Sequence, residues 1–118
     1  MQPTKLEATI RALPDGTVIE LRGDIDGAGR ETLAAAYDAS TTTGSLLLDF
    51  EHVAYINSTG IALIVDLLAR ARAHERSVAA RGLSDHYREI FRITRIADFV
   101  TLLADDSGPR TSERGEAR

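Results

Sequence analysis

Residues 46–50 read Leu-Leu-Leu-Asp-Phe. The run is too short for a helix, and Asp49 interrupts it long before it could span a membrane. It is also too continuously apolar for a strand with one wet face. Such a segment fits a strand buried on both faces, which in turn requires neighbours on both sides and crossover connections over the sheet. The flanks agree. Leu6, Ala8 and Ile10 alternate with Glu7, Thr9 and Arg11, and Pro14-Asp15-Gly16 marks a turn. Ile19 and Leu21 then alternate with Val18, Glu20 and Arg22, so residues 5–22 read as an antiparallel hairpin.

Beyond the hairpin, Gly23-Asp24-Ile25-Asp26-Gly27 reads as a loop, with Asp26 placed to cap the next element. Leu33, Ala36, Tyr37 and Ser40 keep helical spacing, which predicts a helix at about 28–40, broken by Thr41-Thr42-Thr43-Gly44. After the apolar strand, residues 51–57 read as a linker anchored by Val53 and Ile56. A second helix runs from about Ser58 to Glu75, with Ile61, Ile64, Val65 and Leu68 as its buried stripe. Residues 77–81 suit a short strand, Ser84 caps a third helix carrying Tyr87, Ile90 and Phe91, and residues 99–103 are read as a last strand. The expected fold is α/β: a mixed sheet of four or five strands with helices, in which the N-terminal β-hairpin leads into parallel β-α-β units. One domain is expected over residues 1–104, followed by a disordered polar tail at 105–118 that has too little apolar surface to order itself.

The chemistry that composition excludes is extensive. There is no cysteine, hence no disulfide and no thiolate metal site. His52, His74 and His86 fall on different elements with no ligand spacing, and no metal is expected. Asp24-Ile25-Asp26 opens like a calcium loop and Gly29 falls at its sixth position, but Ala35 occupies the twelfth, where a bidentate Glu is required. Neither a Gly-x-Ser-x-Gly elbow nor a phosphate-binding Gly-Lys-Ser/Thr loop is present. No catalytic constellation remains, so the chain is expected not to be an enzyme and to need no cofactor. The N-terminus lacks the basic start and apolar run of a signal peptide, which makes the Asn57-Ser58-Thr59 glycosylation pattern accidental and the expected location cytoplasmic. The net charge of −4 argues against general nucleic-acid binding. All but one of the 14 Lys and Arg residues are arginine, and Arg88, Arg92 and Arg95 leave room for a local cationic patch.

Ser58 is the residue with two readings. As an N-cap it would accept a hydrogen bond from an amide of the first turn, worth ~1 kcal/mol. As a modified residue it would place a phosphate at a helix N-terminus, where unpaired amides and the positive dipole end accommodate an anion. Gly60 keeps the site uncrowded.

The segment Leu48-Asp49-Phe50-x-x-Val53-x-x-Ile56-Asn57-Ser58-Thr59-Gly60-Ile61 resembles the signature of the STAS domain, a family named for sulfate transporters and anti-sigma-factor antagonists, which reads Asp-Leu-Ser-x-Val-x-x-hydrophobic-Asp-Ser-Ser/Thr-Gly-Leu. Gly23-Asp24-Ile25-Asp26 is similar to the family's Gly-Glu-Leu-Asp, and residues 83–96 to its third helix and Leu-Thr-Gly-Leu exit, so the likeness covers roughly residues 5–104. It implies a stand-alone anti-sigma-factor antagonist. The unmodified protein would bind an anti-sigma factor that is a histidine-kinase-like ATPase. That serine kinase would phosphorylate Ser58 and release it, and a metal-dependent serine phosphatase would reset it, with no direct nucleic acid and no membrane insertion. Thr59 would be the lesser acceptor, its β-branched side chain being stiffer. Asn57 stands where the family usually has Asp, keeping the shape and an acceptor but losing the charge; Arg95 stands where the exit turn has Gly. Asp26 reads either as a cap or as part of the phosphoacceptor environment, and Asp49 either as a strand-end residue pairing with loop amides or as part of that environment. The same resemblance allows a second reading: a STAS subunit of a larger assembly, either a stress-sensing scaffold or the soluble partner of a lipid-transport ABC ATPase.

Overall fold

The structure is a computed structural model that describes residues 4–40 and 44–104; the expected polar tail at 105–118 and the helix-breaking threonines at 41–43 lie outside the described residues. Five strands form one sheet in the order β1-β2-β3-β4-β5. They are β1 (Glu7–Leu13), β2 (Gly16–Ile25), β3 (Ser45–Ile56), β4 (Val78–Arg81) and β5 (Thr101–Leu102). β1 pairs with β2 antiparallel, as the hairpin reading requires, and every other neighbouring pair is parallel. The helices α1 (Arg30–Ala39), α2 (Ser58–Ala73) and α3 (Asp85–Ile93) fill the successive crossovers, with short 3-10 turns at Gly27–Gly29 and Ile96–Asp98.

The register carries one apolar row across the whole sheet: Ile10, Ile19, Leu48, Ala80 and Leu102 are partners in sequence. Ile19, Leu48 and Ala80 are buried in the core that the helices cover. Across α2, Leu63, Ile64, Leu67, Leu68 and Ala71 point inward. Phe50 of β3 meets Phe91 of α3 edge to face, with ring centroids 6.2 Å apart.

Four expectations change. Residues 23–25 and 51–56, read as a loop and a linker, are the far halves of β2 and β3 and pair with each other as far as Ile25 and Ile56. Register shifts between Glu20 and Arg22 and between Gly23 and Asp24 break the alternation by which strands are recognised, and this hides them in the sequence. Val18, expected on the wet face of the hairpin, is buried. The stripe of α2 is rotated, so that Ile61 is half-buried and Val65 exposed; residues 61–68 are apolar on nearly every side, and more than one stripe fits them. The last strand is real but only two residues long, preceded by a 3-10 turn.

The end of α2 is closed by two reversed hydrogen bonds, Arg76 N–H to the Ala71 carbonyl (2.9 Å) and Glu75 N–H to the Arg72 carbonyl (3.0 Å). This is the Schellman arrangement, which requires a left-handed residue and usually uses glycine. Here Glu75 supplies it at φ 58. Arg95 does the same at φ 68, in the exit turn where the resemblance leads one to expect Gly. Replacing Glu75 by Gly removes the Cβ penalty and gives back part of it as unfolded-chain entropy, for a net gain of about 0.5–1 kcal/mol. Glu75→Gly is therefore expected to raise the melting temperature by a few degrees in a thermal scan.

Candidate functional site

The site is built where β2 and β3 end side by side and α2 begins. Asn57 N–H donates to the Ile25 carbonyl (3.2 Å), tying the first residue beyond β3 to the last of β2. The chain then turns into α2 with Asn57 as N-cap: its side-chain oxygen accepts from Gly60 N–H at 2.8 Å, and its carbonyl accepts from Ile61 N–H at 2.9 Å. Ser58 is thus the first helical residue and not the cap, which corrects the simpler of its two readings. The substitution of Asn for the family's Asp costs nothing in this role, since the two are equivalent caps.

Gly60 does more than avoid crowding. A Cβ there would lie 2.0 Å from the Ile25 carbonyl oxygen, so only a residue without a side chain lets the helix sit this close to the sheet. The same closeness brings up the next turn: a Cβ on Gly27 would be 3.5 Å from the Thr59 methyl. Asp26 caps this 3-10 turn by accepting from Ala28 N–H (3.1 Å). Asp26, Asn57, Ser58, Thr59 and Gly60 therefore form one neighbourhood, in which Ser58 and Thr59 are exposed and Gly60 is buried.

Asp49 is not part of it. It lies seven residues before Ile56, the last residue of β3, roughly 20 Å back along the strand. Its buried carboxylate accepts from Glu51 N–H (2.9 Å) and from Arg81 Nε and a terminal guanidinium nitrogen (3.2 and 3.0 Å). The strand-end reading of Asp49, as a residue serving neighbouring amides, describes what it does.

Tyr87 lies on the apolar face that the spacing of α3 predicts, and its hydroxyl matters more. It accepts from Ile56 N–H at 2.8 Å and lies 3.4 Å from the Ile56 carbonyl. β4 pairs with β3 only as far as Asp49, so among the described residues Ile56 has no strand partner on that side. Tyr87 takes its place, and so α3 braces the residue two before Ser58. A half-buried tyrosine on an amphipathic helix needs a hydroxyl partner, and this was the available signal in the sequence.

The arrangement offers an exposed hydroxyl at the positive end of a 16-residue helix, with the amides of Ser58 and Thr59 lacking intrahelical acceptors. Among the described residues no group of three His, Asp or Glu side chains is placed to hold an ion. Among the described residues, too, no helix is long and apolar enough to cross a membrane.

A family model described as "Mlab, STAS domain" matches residues 8–104. The chain belongs to the STAS domain family. No curated protein sequence matches it. Among solved structures, the anti-sigma factor antagonist SpoIIAA in its unphosphorylated form superposes with a TM-score of 0.66 at 15% identity, covering 85% of this chain and 90% of that one. SpoIIAA of Bacillus in its phosphorylated form gives 0.59 at 18% identity, covering 85% and 94%. An anti-sigma factor antagonist from Mycobacterium paratuberculosis gives 0.66 at 17% identity, covering 90% and 92%. At these identities the likeness is one of fold.

Two substitutions test the construction of the site. Gly60→Ala forces α2 off the Ile25 carbonyl and is expected to cost about 1–3 kcal/mol, lowering the melting temperature by at least ~4 °C. Tyr87→Phe keeps the ring and strands the Ile56 amide, at a cost of about 1–3 kcal/mol; native-state hydrogen exchange should speed up at Ile56 more than at Ile19 in the middle of the sheet.

Proposed function

We propose that the chain is an anti-sigma-factor antagonist whose binding surface surrounds Ser58 and is switched off by phosphorylation there. The observation that carries this reading is the division of labour between Asn57 and Ser58. Asn57 caps α2, so the exposed hydroxyl of Ser58 is not needed for the cap. A phosphoryl group can then pass from the γ-position of ATP to the Ser58 oxygen, with loss of its proton and release of ADP, without uncapping the helix. The product carries ~1.5–2 negative charges at a position where the helix dipole favours them. The fold persists and the surface changes. That a fold neighbour exists in both unphosphorylated and phosphorylated forms supports a switch of this kind.

In this reading the partner in the unmodified state is a histidine-kinase-like anti-sigma factor that also acts as the serine kinase. A metal-dependent serine phosphatase restores Ser58. The protein itself is a non-enzymatic, cytoplasmic module spanning residues 1–104. Asp26, Asn57, Thr59 and Gly60 shape the phosphoacceptor surface. Asp49 acts at a distance by holding the sheet.

The test combines chemistry and binding. Incubation with ATP and candidate anti-sigma kinases, followed by mass spectrometry, should place phosphate on Ser58 in preference to Thr59. Because Ser58 is not the cap, Ser58→Ala should change stability by no more than ~0.5 kcal/mol, bind the kinase normally and resist release. Ser58→Asp should melt like the wild type and bind at least a hundredfold more weakly. Burying an uncompensated charge in the interface costs about 3 kcal/mol or more, and that is roughly two decades of affinity. Equal affinities for Ser, Ala and Asp at position 58 would point instead to a STAS subunit of a larger assembly.

A further inference from the structure

At the other end of α2, about 20 Å from Ser58 by helix rise, two hollows meet. The smaller, of about 260 Å³, is apolar and floored by Leu68 and Ile96 between Val65 and Phe99. Val65 and Phe99 are 42% and 51% exposed, although both are large apolar side chains. The larger, of about 660 Å³, shares Leu68, Arg72 and Phe99 with the first and adds Arg88, Arg92 and Thr101 and Leu102 of β5. Arg72 separates the two, its guanidinium carbon 5.1 Å from the centre of the Phe99 ring.

Among the described residues the charges on this surface are not balanced. Arg92 is paired with Glu89 and Arg95 with Asp98. Arg72 and Arg88 have neutral partners: the Phe99 ring for the first and the Leu103 carbonyl, at 2.8 Å, for the second. Arg76 also lines the larger hollow, but it is buried, with Nε on the Gly44 carbonyl and one terminal nitrogen on the Ser40 hydroxyl. Glu75, on the same wall, offsets one of these charges. On a chain of net charge −4 this is a local reversal of sign beside an uncovered apolar hollow. β5 closes the strand order, so its outer edge pairs with nothing among the described residues.

We propose that this groove is a second docking surface, for an acidic amphipathic peptide segment of a partner protein. An aromatic or branched side chain of the segment enters the smaller hollow, where there is ample room: a 150 Å³ cavity already accepts benzene. Its carboxylates face Arg72 and Arg88, and its backbone runs beside β5. The sheet edge favours a peptide over a fatty acid, because an acyl chain has no use for backbone donors and acceptors. The proposal does not depend on the switch at Ser58 and is tested without kinase or phosphate.

The probe is the acetylated, amidated peptide Glu-Leu-Asp-Phe-Glu-Leu-Asp, titrated into the isotope-labelled full chain while amide resonances are followed. Saturable shifts centred on Val65, Phe99 and Thr101 are expected, weakening with added salt. The Gln/Asn version of the peptide should bind at least tenfold more weakly. Arg72→Gln should lose a similar factor. Val65→Asp, at an exposed position where the fold tolerates it, should abolish binding, and Arg11→Gln on β1 should leave it intact; thermal melts of each variant verify folding. Three results overturn the proposal: no saturable shift at millimolar peptide, equal affinity for the acidic and amide peptides, or saturation of the same resonances by sodium decanoate with the peptide silent, which would make the groove an acyl-chain site.

Discussion

The approach of Gly60 to the Ile25 carbonyl fixes the position of everything that surrounds Ser58. Helix α2 can start where it does because position 60 has no side chain to collide with the end of β2. From that contact follows the cap, since Asn57 can reach Gly60 N–H only when the first turn is already seated. The rotation of the helix follows too: it brings Leu63, Ile64 and Leu67 onto the sheet and leaves Val65 outside. The exposure of Ser58 is then a geometric result of the seating and not a separate property of serine.

Two braces hold the neighbourhood from either side. The hydrogen bond from Asn57 to Ile25 joins it to β2, and the Tyr87 hydroxyl on Ile56 joins it to α3. Neither brace uses the Ser58 side chain. A group added there changes what a partner meets without loosening what the sheet and helices share. The far end of α2 is held by different means, a left-handed Glu75 and a buried Arg76 bonded to Ser40 and Gly44. The two ends of one helix are therefore anchored independently of each other.

How much of this was legible in the sequence depends on which signal each residue sends. The hairpin, the buried strand at Leu46–Phe50 and all three helices were readable from periodicity, because their apolar residues repeat without interruption. The far halves of β2 and β3 were not, because shifts in register mix the two faces of the pair. The site was legible as a string of residue types around Ser58, and its roles were not. Nothing in Asn57-Ser58 tells which of two good capping residues will cap; that is decided by where Gly60 comes to rest. Asp49 lay inside the recognisable motif and belongs to the sheet, with Arg81. Tyr87 lay outside it and belongs to the site.

The strand order β1-β2-β3-β4-β5 follows the chain. Each strand therefore pairs with the one made just before it, and no strand must wait for a later one to be inserted between it and its neighbour. During synthesis the hairpin can form first and present an edge, and every subsequent crossover delivers the next strand to that edge. The sheet grows in one direction with each loop closed over a short span, which keeps the entropic cost of closure low at every step. The motif around Ser58 is assembled when β3 and α2 reach the growing edge, and the brace from Tyr87 joins it only when α3 has formed, with β5 alone left to add.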